Sequence, residues 1–128
     1  MNKILVVDDS RDLLDFFPQI LKINGYDVTV ASCKKEMEAQ LKYYMPDLIF
    51  MDVFLNNENG KEICQDTKRK YQHIAIILMS GSTEFLKDYL EYGADGIMEK
   101  PFDLRTMNQI IKKALHENIN IQKPIDKM

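Results

Sequence analysis

The chain has 128 residues, 45% hydrophobic and 29% charged, with a formal net charge of −3. That is one domain's worth of ordinary globular composition. It excludes a nucleic-acid-binding protein built on a basic face, because Lys34-Lys35 and Lys68-Arg69-Lys70 are only short clusters on solvated helix faces. It also excludes a membrane span, which needs about twenty consecutive apolar residues. The opening "MNKILVVDDS" meets two acids too early for a secretory leader. Cys33 and Cys64 lack metal-ligand spacing and read as reduced thiols in the cytoplasm.

In chain order, "KILVV" (3–7) reads as a buried strand. Residues 11–23 carry apolar side chains at 13, 14, 17, 20 and 21, which is helical spacing. Ser10 is its expected N-cap and Asn24-Gly25 its end. Pro18 inside it removes a hydrogen bond and predicts a kink, or a restart of the helix at that residue. A strand follows over 26–31 and a helix over 33–45, stopped by Pro46.

"DLIFMD" (47–52) is the third strand and 60–71 the third helix. A hairpin at Asn59-Gly60 is discounted, because helical spacing follows it. Strand 74–79, helix 83–92 closed by Gly93, strand 96–100 and helix 103–117 capped by Asp103 complete the pattern. Residues 118–128 read as a tail or the start of a linker, leaving 1–117 as the domain.

Five strands alternating with five helices, with continuous rather than alternating apolar runs, imply a parallel sheet covered on both faces. The fold class is therefore α/β, a doubly wound three-layer sandwich. Sites in such folds lie at the carboxyl ends of strands. Here those ends carry Asp8-Asp9, Asp52, Ser80-Gly81 and Lys100-Pro101. Each has a bland reading alone, as a cap or a surface residue. Together they gather three carboxylates, a hydroxyl and an ammonium at one edge.

Clustered carboxylates raise one another's pKa unless a cation intervenes. Mg²⁺ suits them, since it takes oxygen ligands and needs only one or two carboxylates. Mn²⁺ is an alternative. A lysine and a hydroxyl alongside suit a phosphoryl group, and one carboxylate could be the nucleophile.

The motifs "VVDDS", "DLIFMDVFLNNENG", "LMSGS", "GADG" and "KPF" over about residues 2–117 resemble the receiver domain of bacterial response regulators. The resemblance implies a flavodoxin-like sheet of order 2-1-3-4-5. It implies Asp52 as phosphoacceptor, Asp9 as direct Mg²⁺ ligand, Asp8 as its partner acid and the Phe54 backbone carbonyl as a further ligand. Ser80 and Lys100 would contact the phosphoryl group, with the amides of Phe54 and Gly81 completing the anion site. The Lys100-Pro101 bond is expected to be cis.

The same resemblance implies phosphotransfer from a sensor histidine kinase or a histidine phosphotransfer protein. No external substrate is implied, only self-directed phosphoryl transfer and autodephosphorylation. The face made by the fourth helix, fifth strand and fifth helix would repack, meeting a downstream target, an output domain or a second copy. Phe85, Tyr89, Tyr92 and Ile97 are its candidates. No direct contact with nucleic acid or membrane is expected of this domain.

The sequence departs from the family pattern in three places. Ile97 stands where the family has Tyr or Phe as a rotameric switch. Asn56 stands where proline is frequent, which predicts a looser loop over 56–60, and Pro18 is unusual in the first helix. Phe54 and Ser82 flank the path of attacking water and are candidates for tuning the phosphoryl lifetime. Rival readings are a receiver-like binding module independent of phosphate and a Mg²⁺-dependent phosphohydrolase. The second needs an acid two residues after the nucleophile, where Phe54 stands. A flavin-binding protein would want glycine and hydroxyls, not Asp8-Asp9, after strand one.

Overall fold

The structure of the protein is a computed structural model that describes residues 2–122, and side chains of residues 2–116. Its elements run β1 (Lys3–Val7), α1 (Arg11–Ile23), β2 (Asp27–Ala31), α2 (Lys34–Leu41), β3 (Leu48–Asp52), β4 (Phe54–Leu55), β5 (Glu58–Asn59), α3 (Gly60–Lys70), β6 (Ala75–Ser80), β7 (Gly96–Glu99) and α4 (Leu104–Gln122). Two single turns of 3₁₀-helix, Thr83–Leu86 and Tyr89–Tyr92, lie between β6 and β7. The main sheet has the order β2-β1-β3-β6-β7 with every pair parallel. This is the doubly wound α/β architecture that the alternating pattern predicts.

The strand alternation divides the core into two layers. Leu5, Val7, Ile49, Met51, Ile76 and Leu78 face one side, under Met37 and Leu41 of α2 and Ile63 and Cys64 of α3. Ile4, Val6, Leu48, Phe50, Ile77 and Met79 face the other, under Phe17 and Leu21 of α1 and Met107 and Ile111 of α4. Fully burying a side chain of this kind contributes about 1.5–3 kcal/mol, so a one-residue slip of β3 would exchange its two faces and misplace Asp52.

Local chemistry sets the helix ends. The Leu13 amide donates to the Ser10 hydroxyl at 3.4 Å, as expected of an N-cap. Asn59 caps α3 by accepting from the Lys61 amide at 2.9 Å. The Thr106 amide donates to Asp103 Oδ1 at 2.7 Å at the start of α4. Asp95, in the "GADG" motif, accepts from the Ile76 amide at 2.8 Å and from Lys68 Nζ at 3.0 Å. It therefore anchors the amino end of β6, on the opposite edge from the carboxylates.

The structure corrects several expectations. Helix α1 is continuous through Pro18, so no restart occurs there. Helix α2 stops at Leu41, short of Pro46, and Tyr44 instead turns back to donate its hydroxyl to the Asp27 carbonyl at 2.8 Å. The segment 83–92 is not an α-helix but the two 3₁₀ turns, which leaves four α-helices rather than five among the described residues. Spacings of three and of three to four residues are too alike over so short a span to separate the two forms. Gly93, at φ 80°, does end the second turn.

The stretch after Asp52 is an antiparallel ribbon of β4 and β5, not an open loop. Its turn falls at Asn56-Asn57, with Asn56 at φ 49°, a left-handed conformation that asparagine tolerates. The hairpin thus exists, but it lies before Asn59-Gly60 and not across it. Helix α4 continues to Gln122, past 117, and the rest of the stretch read as a tail lies outside the described residues.

Candidate phosphoacceptor and metal site

Four strand ends build the site. Asp8 follows β1, and its amide donates to the Ala31 carbonyl at 3.1 Å. Asp52 is the last residue of β3, and the Val53 amide after it donates to the Met79 carbonyl of β6 at 2.9 Å. Ser80 closes β6, and its carbonyl accepts from the Lys100 amide at 2.8 Å. Backbone ladders therefore fix all four positions before any side chain takes part. The Lys100–Pro101 peptide is cis.

Oxygens of Asp8, Asp9 and Asp52 lie within 4.8 Å of one another. Asp8 is fully buried, Asp52 is 8% exposed and Asp9 is half-buried. Lys100 Nζ sits between two of them, 2.7 Å from Asp8 Oδ2 and 3.4 Å from Asp52 Oδ2. Three further oxygens meet backbone amides. Asp8 Oδ1 accepts from the Ser10 amide at 2.8 Å and Asp9 Oδ2 from the Asn56 amide at 2.7 Å. Asp52 Oδ1 receives only a long contact, 3.5 Å, from the Phe54 amide.

Asp52 is thus held by the longest contacts of the three. Burial and the neighbouring Asp8 carboxylate push its pKa up from 3.8 to about 6, against the opposing pull of Lys100. Its charge is held at a cost that a cation would relieve. The donor set is all oxygen, hard and close-spaced, which fits Mg²⁺. Phe54 stands at the start of β4 with its ring half exposed.

Gly60 allows the ribbon to fold back over this strand end. A Cβ there would lie 1.9 Å from the Asp52 carbonyl oxygen, and the Gly60 amide donates to the Val53 carbonyl at 2.7 Å. Ser80 is buried, and its Oγ accepts from the Ser82 amide at 3.1 Å. Gly81 is exposed with open space around its Cα. Ile97 is 37% exposed on β7, away from the carboxylates, in a groove with Leu90 and Ile110.

Of the other face candidates, Tyr89 packs on the core. Phe85 and Tyr92 instead turn toward Lys61, a residue that sequence reasoning passed over. Lys61 is 9% exposed, bonds Asp88 Oδ1 at 2.7 Å, and lies 5.9 Å and 5.6 Å from the ring centres of Phe85 and Tyr92. The available signal was a lysine in the first turn of a helix, where the macrodipole disfavours positive charge.

The model of the response regulator receiver domain matches residues 4–112. The chain belongs to the response regulator receiver domain family. It is 34% identical over 118 residues to the alkaline phosphatase synthesis transcriptional regulatory protein PhoP of Bacillus subtilis, covering 91% of this chain and 49% of that protein. Among solved structures, a CheY-like receiver domain protein of Methanospirillum hungatei superposes with a TM-score of 0.87 at 30% identity, covering 94% of this chain and 98% of that one. NtrX of Brucella abortus gives 0.90 at 25% identity, covering 97% of this chain but 29% of that one. The chain therefore spans about half of the curated relative and under a third of NtrX.

Receiver domains are the signalling modules of two-component systems, and the family generally binds Mg²⁺ at an acidic pocket such as Asp8, Asp9 and Asp52. Among the described residues, no helix is long and apolar enough to cross a membrane.

Proposed function

We propose that this domain accepts a phosphoryl group on Asp52 from a sensor histidine kinase or histidine phosphotransfer protein. The observation that carries the proposal is three carboxylates within 4.8 Å, two of them sharing the Lys100 ammonium. Asp52 is the nucleophile because it ends a rigid strand and is held by the longest contacts of the three. One of its oxygens attacks phosphorus, the bond from phosphorus to the donor nitrogen breaks, and the electron pair leaves with the donor.

Asp8, Asp9, Asp52 and the Phe54 carbonyl would hold Mg²⁺, or Mn²⁺ in its place. The ion would supply positive charge against the phosphoryl oxygens. Lys100 shifts its ammonium from Asp52 to a phosphoryl oxygen, so that charge arriving on phosphorus meets an existing cation. The amides of Phe54 and Gly81 donate to the same group. Ser80 turns its hydroxyl from the Ser82 amide toward phosphate, and the face of residues 83–92, β7 and α4 repacks. Phe54 and Ser82 set how fast water removes the phosphoryl group.

In this reading the domain works in the cytoplasm, acts on no external substrate, and contacts neither nucleic acid nor membrane. Its repacked face meets a downstream protein, an output domain or a second copy. The test is a titration with a small phosphodonor or beryllofluoride in the presence of Mg²⁺, comparing wild type with Asp52→Asn. Saturable change in the wild type alone supports the proposal. The same response from both proteins, or from neither, favours a binding module that does not use phosphate.

A further inference from the structure

A chain of contacts joins the two groups that a phosphoryl group at Asp52 would touch. The Phe54 amide points at Asp52 Oδ1, and the Phe54 ring meets the Phe85 ring edge-on, with centres 4.7 Å apart at 86°. The Phe85 amide donates to the Ser82 carbonyl at 3.3 Å, and the Ser82 amide to Ser80 Oγ at 3.1 Å. The two rings are 53% and 42% exposed, so neither is placed by the core.

An exposed phenylalanine on a two-residue strand would otherwise exchange rotamers on the nanosecond scale and cover any one direction only part of the time. Here its edge-to-face partner is itself held. Lys61 lies 5.9 Å from the Phe85 ring centre and is fixed by the 2.7 Å bond to Asp88. Cation–π and edge-to-face contacts each favour one ring orientation over the alternatives.

We propose that Phe85, steadied by Lys61, is a positioning residue that holds the Phe54 ring in one place and thereby sets the lifetime of the phosphoryl group on Asp52. The proposal rests on the phosphoacceptor reading above. The reaction it governs is hydrolysis. Water oxygen bonds to phosphorus, the bond from phosphorus to the Asp52 oxygen breaks, its electron pair returns to the carboxylate, and the water proton passes to phosphate or solvent. Phe54 is two residues from Asp52, with its amide 3.5 Å from Oδ1, so a ring held in one rotamer obstructs approach to Asp52 for a larger fraction of the time than a mobile ring does. The exposed ring pair needs no partner protein to act.

The experiment loads the protein with a small phosphodonor and Mg²⁺, removes the donor, and follows decay of the label. Phe54→Ala and Phe85→Ala should each shorten the lifetime about threefold to tenfold, the range expected from one aromatic pair. The double variant should decay no faster than Phe54→Ala. Phe85→Tyr, which keeps the ring edge, should retain most of the wild-type lifetime, and decay should change more than label formation. In the metal-free protein, the Phe54 ring resonances should lose their ring-current shift in Phe85→Ala, while the unfolding midpoint falls by no more than the few degrees that one aromatic pair accounts for. Equal decay in wild type and Phe85→Ala, or effects that multiply in the double variant, overturns this proposal alone. Absence of any Asp52-dependent label in the wild type overturns the phosphoacceptor reading and this proposal with it.

Discussion

The carboxylate end of the sheet and the flank formed by residues 83–99 are held by opposite means. At the first, Asp52 and Ser80 end parallel strands, the Asp8 and Lys100 amides bond to neighbouring strand ends, and Asp8 and Ser80 are buried. At the second, two isolated 3₁₀ turns span the gap between β6 and β7, and only Leu86 and Ala94 are buried between Gly81 and Ile97. What secures that flank is side chains: the Lys61–Asp88 bond, the rings of Phe85 and Tyr92, and Tyr89 on the core. Strand register gives a reaction centre that cannot drift. A few side-chain contacts give a flank that can rearrange for little free energy. In the proposed function, chemistry and readout thus fall in regions of unequal rigidity.

The largest effect that tests this contrast is Asp52→Asn. It should abolish phosphoryl labelling while leaving the fold intact. It should also stabilise the metal-free protein at neutral pH. Because the folded-state pKa of Asp52 is about 6, above its ordinary 3.8, the folded state binds more protons than the unfolded state between those values. Stability therefore falls as pH rises through that window, and the penalty is complete above about 6. At pH 7 the asparagine variant should melt about 3 °C higher, after allowance for solvent screening of a partly wetted site. Its melting temperature should not show the decline between pH 4 and 6 that Asp52 imposes on the wild type. A flat profile in the wild type would mean that Lys100 already compensates the charge.

Gly60→Ala attacks the rigid region through its backbone. The added Cβ would fall 1.9 Å from the Asp52 carbonyl oxygen, so the ribbon or β3 must move. A loss of about 3 kcal/mol or more is expected from such overpacking against main chain, measured by chemical denaturation. Labelling of the folded fraction should fall as well. Full activity and stability would show that the strand end is softer than its ladders imply.

The two regions also differed in how well sequence revealed them. Asp8, Asp9, Asp52 and Lys100 were legible because buried parallel strands leave uninterrupted apolar runs whose ends are easy to find. Residues 83–92 were not. Phe85, Leu86, Tyr89 and Tyr92 satisfy helical spacing, yet Leu86 and Tyr89 pack on the core while Phe85 and Tyr92 lie beside a lysine from α3 that no local pattern can supply. The ribbon of β4 and β5 was missed because two strands of two residues are too short to show alternation. Its signal was the Asn56-Asn57 pair.

Lys61→Met probes the softer region directly. It removes the ion pair with Asp88 and the charge beside Phe85 and Tyr92 while keeping an apolar stem in the same space. Amides of residues 83–92 should exchange with solvent deuterium severalfold faster. Those of β1, β3 and β6 should exchange as in the wild type. A uniform increase across the sheet would mean that the flank is not a separate cooperative unit.

The smallest expected effect is that of Ile97→Tyr, and it sharpens the contrast most. Ile97 is 37% exposed in a groove with Leu90 and Ile110, so a tyrosine can be received without disturbing the core, and stability should change by less than about 0.5 kcal/mol. Label formation at Asp52 should hardly change, because β7 reaches the site through the Lys100 amide and not through residue 97. The informative quantity is the difference in hydrogen exchange between loaded and unloaded protein over residues 83–92. An aromatic ring at position 97 can exchange between staggered rotamers, whereas isoleucine is branched at Cβ and stiff. If the wild-type flank responds to Asp52 only through Phe54 and Phe85, the added ring gives it a second route, and the exchange difference should grow. An unchanged difference would mean that the aromatic pair already transmits all that the site delivers.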